Sequence, residues 1–314
     1  MASEPPLIAT PGAPIPAGGA AEWFAGAGGA RLRAALFPAQ TPPRGSVVVS
    51  PGRTEPIEKY FEVVEILTAR GFAVLVHDWR GQGLSQRLLA DRSLGHAAGS
   101  RDFLTDYAAL IAAFEARLPK PWIALGHSMG GCLTLLVLAS GERRFAGAIL
   151  SAPMLGIRTG TVPPALARIL AAAQRWTGRG GSPVQRDRAP PAAAFEVNIL
   201  THDRARYERS LAQLAACPDL ALGAPTWSWL DFAFSAVDAL AHGAGAPRIA
   251  IPLTVLAAGE DALVDSAASR RVTARVPGGR FVEIDGAYHE ILQETDALQA
   301  PFWREFDALA DRVA

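Results

Sequence analysis

Short, continuous apolar runs alternate along the chain with longer stretches in which apolar residues recur at helical spacing. The run from Gly45 to Ser50 stops at Pro51-Gly52 and gives way to a helical pattern from Ile57 to Arg70. Runs from Phe72 to Asp78, Trp122 to Gly126 and Phe145 to Ser151 follow, with helical patterns from Ser100 to Leu118 and Met129 to Ser140 between them. Strands that are apolar throughout and separated by amphipathic helices predict a parallel sheet covered on both faces. Ahead of them, Glu22 to Pro38 reads as two strands joined through Gly26-Ala27-Gly28-Gly29, an antiparallel hairpin at the sheet edge.

The alternation breaks after Pro153. Helical stretches at Pro164–Thr177, Asp203–Ala216 and Trp227–His242 are joined by Pro-rich segments with no strand pattern. Strand and helix resume at Pro252, with strands at Leu253–Ala257 and Arg280–Ile284. One α/β core, residues 21–153 and 246–314, is therefore expected to carry a helical cap insertion over 154–245. Residues 1–20 are rich in Pro, Gly and Ala without periodicity and read as a flexible arm.

Composition then removes several function classes. The chain has 314 residues, half of them hydrophobic, which is ample material for a large core. Thirty Lys and Arg balance thirty Asp and Glu, so no electrostatic footprint for nucleic acid is present. Cys132 and Cys217 are too few for a disulfide framework or a structural zinc site and fit a reducing cytosol, although one bridge is open to them. No basic segment followed by an apolar one begins the chain, and no uncharged apolar run reaches the ~20 residues needed to cross a bilayer. The expectation is a cytoplasmic protein, at most peripheral at the inner face of a membrane, using no metal and no cofactor.

The sharpest chemical signal is Gly126-His127-Ser128-Met129-Gly130-Gly131, which leaves a strand and opens a helix. In that context a Gly-x-Ser-x-Gly string is a nucleophile elbow: the hydroxyl stands on a sharp turn, and the flanking glycines leave room for it. The helix start behind it places the Met129 amide where an oxyanion would form. A serine hydroxyl needs a base, and the base needs an orienting acid, the partners following the nucleophile in the order acid, then histidine. Of six histidines, His127 and His77 read as packing residues, while His96, His202 and His242 lie in loops or at the end of the insertion. His289, after a late strand and the loop at Gly286, is the candidate base. Asp261, directly after the strand at Leu253–Ala257, is the candidate acid; Glu260 is its rival, and so is Asp265, which also reads as a helix N-cap. For a second oxyanion donor, the Ser50-Pro51-Gly52-Arg53 loop offers the Arg53 amide, since Pro51 has no N–H. The Gly-rich loop Asp78 to Ser85 reads as structural, with Arg80 tying loops together.

With these residues in place, the chain resembles the lysophospholipase and monoacylglycerol lipase family of α/β hydrolases over roughly residues 45–312. The resemblance rests on Gly52-x-x-Glu55, Asp78-x-Arg80-Gly81-x-Gly83-x-Ser85, the elbow, Leu150-Ser151-Ala152-Pro153, Gly259-Glu260-Asp261 and Gly286-Ala287-Tyr288-His289-Glu290. In the insertion, Asn198-x-Leu200-Thr201-x-Asp203-x-x-Arg206-Tyr207 and Gly223-x-Pro225-Thr226-Trp227-x-Trp229-Leu230 look similar to the bacterial lysophospholipase branch. It implies Ser128 as nucleophile, Asp261 as acid, His289 as base, and Arg53 and Met129 as oxyanion amides. Two departures stand out: Pro51-Gly52 replaces the family's usual His-Gly, and Gly81-Gln82-Gly83 its frequent Gly-His-Gly.

The resemblance implies a serine hydrolase for single-acyl-chain lipid esters, lysophospholipid or monoacylglycerol, with the α/β-hydrolase fold and no set oligomeric state. A fatty acyl chain needs an apolar trough, and the insertion offers Leu166, Ile169, Leu170, Trp176, Trp227, Trp229, Leu230, Phe232 and Phe234. Trp227, Trp229 and Leu230 are the candidate substrate contacts. The bland reading of all nine is packing of the insertion on the sheet. An esterase, thioesterase or acyltransferase for another acyl group is the rival within enzymes. A non-catalytic binding protein is disfavoured because every residue the reaction requires is present.

Overall fold

The computed structural model describes residues 5–185 and 194–314. Eight strands form one sheet: β1 (Ala20–Ala25), β2 (Arg31–Phe37), β3 (Gly45–Ser50), β4 (Phe72–His77), β5 (Trp122–His127), β6 (Phe145–Ser151), β7 (Leu253–Ala258) and β8 (Arg280–Ile284). Their spatial order is β1-β2-β4-β3-β5-β6-β7-β8. β1 and β2 pair antiparallel, β2 pairs antiparallel with β4, and every pairing from there on is parallel. The expected antiparallel edge and parallel centre are both present.

The central strands β3 to β7 are largely apolar because both faces are covered. Val47, Val49, Val74, Val76, Ile123 and Leu125 point to one side, where they meet α1 (Phe61–Ala69) and α8 (Asp296–Val313). Val48, Leu75, Ala124, Ala148 and Leu150 point to the other. There they meet α2 (Ser100–Phe114), α3 (Ser128–Ala139) and α7 (Ser266–Thr273). This period-two alternation through an all-apolar strand is the signature of a sheet buried on both faces.

The insertion is helical, with α4 (Pro164–Trp176), α5 (Arg204–Ala216) and α6 (Trp227–His242). Residues 186–193 of this expected cap, and residues 1–4 of the expected arm, lie outside the described residues. α6 is the foundation of the insertion: Phe232, Ala233, Ala236 and Leu240 are buried in the same cluster as α3. α4 rests on α6 through the ion pairs Arg168–Asp238 and Arg175–Asp231. Its apolar side chains neither pack on the sheet nor line an interior trough: Leu166, Ile169 and Leu170 are exposed, and Trp176 is 90% exposed.

The flexible arm expected over residues 1–20 is docked over its described part. Pro6 accepts from Arg33 Nη1 at 2.9 Å, Ile8 donates to Glu58 at 3.2 Å, and Ala13 is buried. The anchor is a cluster of acidic and basic side chains with no solvent exposure, in which Arg33 spans Glu58 at 2.8 Å and Asp78 at 2.7 Å. Asp78 also accepts from the amides of Ile57 and Leu84. Burying such charges is tolerated because each is paired and further hydrogen-bonded. Composition hid this contact because the anchoring residues are remote in sequence. Arg80 does tie loops together as expected, bridging Asp106 at 2.5 Å and the Ala27 carbonyl at 3.1 Å.

Candidate active site

Ser128 sits at the junction of β5 and α3 with a backbone φ of +49°. A side-chain-bearing residue adopts that conformation only under constraint, at a cost of about 1–3 kcal/mol. The constraint is visible in the glycines. A Cβ on Gly126 would stand 2.7 Å from Gly131 Cα, and one on Gly130 would stand 2.1 Å from the Ser50 carbonyl oxygen. The elbow therefore packs so closely on itself and on the end of β3 that only hydrogen fits there.

Three side chains separated by up to 161 residues meet at the carboxyl ends of the strands. His289 Nε2 lies 2.9 Å from Ser128 Oγ, and His289 Nδ1 lies 2.7 Å from Asp261 Oδ2. Asp261 follows β7 and His289 follows β8, so the sheet brings both to the edge where β5 ends. The other oxygen of Asp261, Oδ1, accepts from the Leu263 amide at 2.8 Å and the Val264 amide at 2.9 Å. Burial would raise the pKa of this carboxyl, but the hydrogen bond and charge of His289 and the two amides outweigh it, and the pKa is lowered. An ionised Asp261 accepts the Nδ1 proton, which leaves the Nε2 lone pair facing the serine hydroxyl. Of the rivals, Asp265 caps α7 by accepting from Ala267 at 3.0 Å.

Four of the other five histidines are held by packing or hydrogen bonds. His127 Nδ1 meets the Ser151 carbonyl at 3.1 Å, and its ring centroid lies 4.9 Å from that of His289. His77 is buried edge-on against Trp79, and burial lowers its pKa to about 3. His96 Nδ1 meets Thr226 Oγ1, and His202 meets Glu294.

The loop after β3 leaves the Arg53 amide unclaimed. Pro51 has none, the Gly52 amide donates to Glu55 Oε2 at 2.6 Å, and the Thr54 amide donates to Gln82 Oε1 at 2.6 Å. Between them the Arg53 amide has no hydrogen bond among the described residues. The Met129 amide lies in the first turn of α3, where a helix supplies no carbonyl.

Sequence reasoning took Glu55 only as part of a motif and missed what it holds. Besides the Gly52 amide it accepts from Tyr60 at 2.6 Å and pairs with Lys59 at 2.9 Å, and Lys59 reaches Glu290 at 2.5 Å. Burial pushes the Glu55 pKa up, but Lys59, His127 and Tyr60 overcome it and bring it down to about 2. The signal was Glu55 three residues beyond a glycine that faces the elbow. Of the candidate substrate contacts, Trp229 lines a small cavity beside Met129; Trp227 and Leu230 do not line it.

Cys132 and Cys217 are unbridged. Among the described residues no group of His, Cys, Asp or Glu side chains is arranged to hold a metal ion. No helix among them is long and apolar enough to cross a membrane.

Comparison with known proteins places the chain in a family. A family model described as serine aminopeptidase, S33, matches residues 41–296. Lysophospholipase L2 of Escherichia coli strain K12 is 38% identical over 268 residues, covering 81% of this chain and 76% of that protein. The monoacylglycerol lipase of Mycolicibacterium smegmatis is 27% identical over 87% of this chain and 91% of its own length. Among solved structures, a soluble variant of monoglyceride lipase from Saccharomyces cerevisiae, in complex with a substrate analog, superposes with a TM-score of 0.73. It covers 94% of this chain and 96% of its own at 18% identity, a likeness of fold. The chain belongs to the serine aminopeptidase S33 family, among the lysophospholipase and monoacylglycerol lipase-type serine hydrolases of the α/β-hydrolase fold.

Proposed function

We propose that this protein cleaves carboxylic esters of single-acyl-chain lipids, lysophospholipids or monoacylglycerols, through an acyl-enzyme on Ser128. The hydrogen-bonded chain from Ser128 through His289 to Asp261 carries the reading. Ser128 Oγ attacks the ester carbonyl while His289 Nε2 takes its proton. The carbonyl oxygen, now negative, lies against the amides of Arg53 and Met129. The carbon–oxygen bond to the glycerol breaks, and the leaving alkoxide takes the proton from His289. Water, deprotonated by His289, then attacks the acyl-enzyme and releases the fatty acid, returning the proton to Ser128. Asp261 holds the imidazole in the tautomer this needs and stabilises its cation.

The substrate class is supported by the names of the relatives and by the cap. Leu166, Ile169, Leu170 and Trp176 give α4 an exposed apolar side, suited to transient contact with a membrane surface where such lipids reside.

The test is labelling and turnover together. A fluorophosphonate probe is expected to modify Ser128, and Ser128→Ala is expected to lose the label and several orders of magnitude of turnover on palmitoyl lysophosphatidylcholine and palmitoylglycerol. Near wild-type turnover in the Ser128→Ala protein ends the proposal.

A further inference from the structure

Arg53 supplies more than a backbone amide to this site. Its side chain runs from the core loop to the cap, where Nη2 donates to the Gly223 carbonyl and the guanidinium carbon lies 5.2 Å from the Trp229 ring centroid. It is packed so tightly on Gly95 that a Cβ there would stand 2.9 Å from Nη2. Yet no carboxylate pairs with it among the described residues, and its Nε is buried without a partner. Burial alone lowers its pKa, to about 10, so it stays cationic near neutrality.

A second donor at the same place is also unclaimed. Gln82 spends its carbonyl on the Thr54 amide, and its Nε2 is buried with no partner. Gln82, Gly95, His96, Met129 and Trp229 line one cavity. Arg80, which borders it too, has its charge met by Asp106 and Asp102. A cavity lined by Met129 thus has beside it, through the contacts of Arg53 with Gly95 and Trp229, one cation without a carboxylate and one spare amide N–H, both donors only. Buried donors without partners are costly, and the ligand that relieves both at once is an anion rich in acceptor oxygens.

We infer that Arg53, with Gln82, receives the phosphate of a lysophospholipid and so selects it over the uncharged monoacylglycerol. The inference rests on the reading that Ser128 cleaves single-chain lipid esters. In both lipids the scissile ester sits on a three-carbon glycerol; only the lysophospholipid carries an anion at the far end of it. The cavity has room for about one water molecule, so seating a phosphate requires the guanidinium to exchange the Gly223 carbonyl for the ligand. Head-group binding and outward movement of the cap segment at Gly223 are then one event.

The experiment compares kcat/KM for palmitoyl lysophosphatidylcholine and palmitoylglycerol in the wild type, Arg53→Met, Arg53→Lys and Gln82→Glu proteins. Any disturbance of the oxyanion loop enters both rates, so their ratio reads the side chain. Arg53→Met is expected to lower the ratio about 10- to 100-fold, the worth of a charge-assisted hydrogen bond. Arg53→Lys is expected to keep most of the ratio. Gln82→Glu retains an acceptor for Thr54 but sets a negative charge against the phosphate, and is expected to lower the ratio as well.

A second arm measures inhibition of palmitoylglycerol hydrolysis by glycerophosphocholine and by inorganic phosphate. Inhibition by glycerophosphocholine that is lost in Arg53→Met supports the head-group reading. Inhibition by phosphate alone, with an unchanged lipid ratio, overturns it in favour of a free-anion site. A ratio within twofold of wild type in Arg53→Met, with both lipids still cleaved, overturns the inference and leaves the ester-hydrolase reading intact. A wild-type protein that cleaves neither lipid overturns both.

Discussion

Glu55 holds the backbone of Gly52: its carboxylate accepts the Gly52 amide at 2.6 Å while its other oxygen is fixed by Lys59. The next amide along is that of Arg53, the proposed oxyanion donor. A carboxylate that never touches substrate therefore sets the direction of a group that does. Replacing Glu55 by Ala is expected to lower kcat about 10- to 100-fold with a smaller change in KM, because misplacing such a donor harms the transition state more than the ground state. Steady-state kinetics on a short p-nitrophenyl ester check this; a proportionate rise in KM at unchanged kcat contradicts it.

Asp261 is held by the two loop amides as firmly as by the imidazole. Asp261→Asn keeps the shape but presents an amide to Nδ1, which favours the tautomer with a proton on Nε2, facing the serine hydroxyl. Turnover is expected to fall about 10⁴-fold, as for the same exchange in serine proteases. The rate of fluorophosphonate labelling is expected to fall with it, while circular dichroism stays unchanged.

Gly130 has no room for any side chain, since a Cβ would stand 2.1 Å from the Ser50 oxygen and 2.4 Å from that of Pro51. Gly130→Ala must push the end of β3 away from the elbow, moving the nucleophile and the Arg53 loop apart. A loss of about 1–3 kcal/mol in stability by urea unfolding, together with loss of esterase activity, is expected.

His77 gives the fold a sensitivity to acid. Burial lowers its pKa from 6.5 to about 3, so the unfolded chain takes up a proton in this window and the folded chain does not. Its contribution is fully present above pH 6.5 and is lost as pH falls from there towards 3, at up to about 1.4 kcal/mol per pH unit. In His77→Phe, which keeps a ring against Trp79, the urea midpoint is expected to fall less steeply than in the wild type between pH 6 and 4. Parallel pH dependence of the two proteins contradicts this.

Arg33, Glu58 and Asp78 form a cluster without solvent contact. Arg33→Met leaves two buried carboxylates uncompensated and is expected to cost about 3–5 kcal/mol. It also removes the donor to Pro6, so limited proteolysis within residues 5–19 is expected to speed up relative to the wild type.

Much of this architecture is legible in the chain because local signals and tertiary fold agree. The strand from Phe145 to Ser151 and the helix from Trp227 to His242 have the same bounds in sequence pattern and structure. The elbow is legible too, since strand, paired glycines and helix occur in one short stretch. His289 and Asp261 follow from their positions after late strands. Hidden from the sequence were contacts between distant residues: Lys59 with Glu290, Gln82 with the Thr54 amide, Arg33 with the amino-terminal segment. The apolar spacing of α4 was misread as interior material because periodicity reports that a helix has an apolar side, not what that side faces.

The strand before the insertion and the strand after it lie directly side by side, Ala148 against Leu253 and Ser151 against Leu256. The whole cap thus leaves and rejoins the sheet at one seam without interrupting a single ladder. A different cap can be grafted at that seam, changing which molecules are admitted while the alcohol, imidazole and carboxylate keep the spacing set by the strands beneath them.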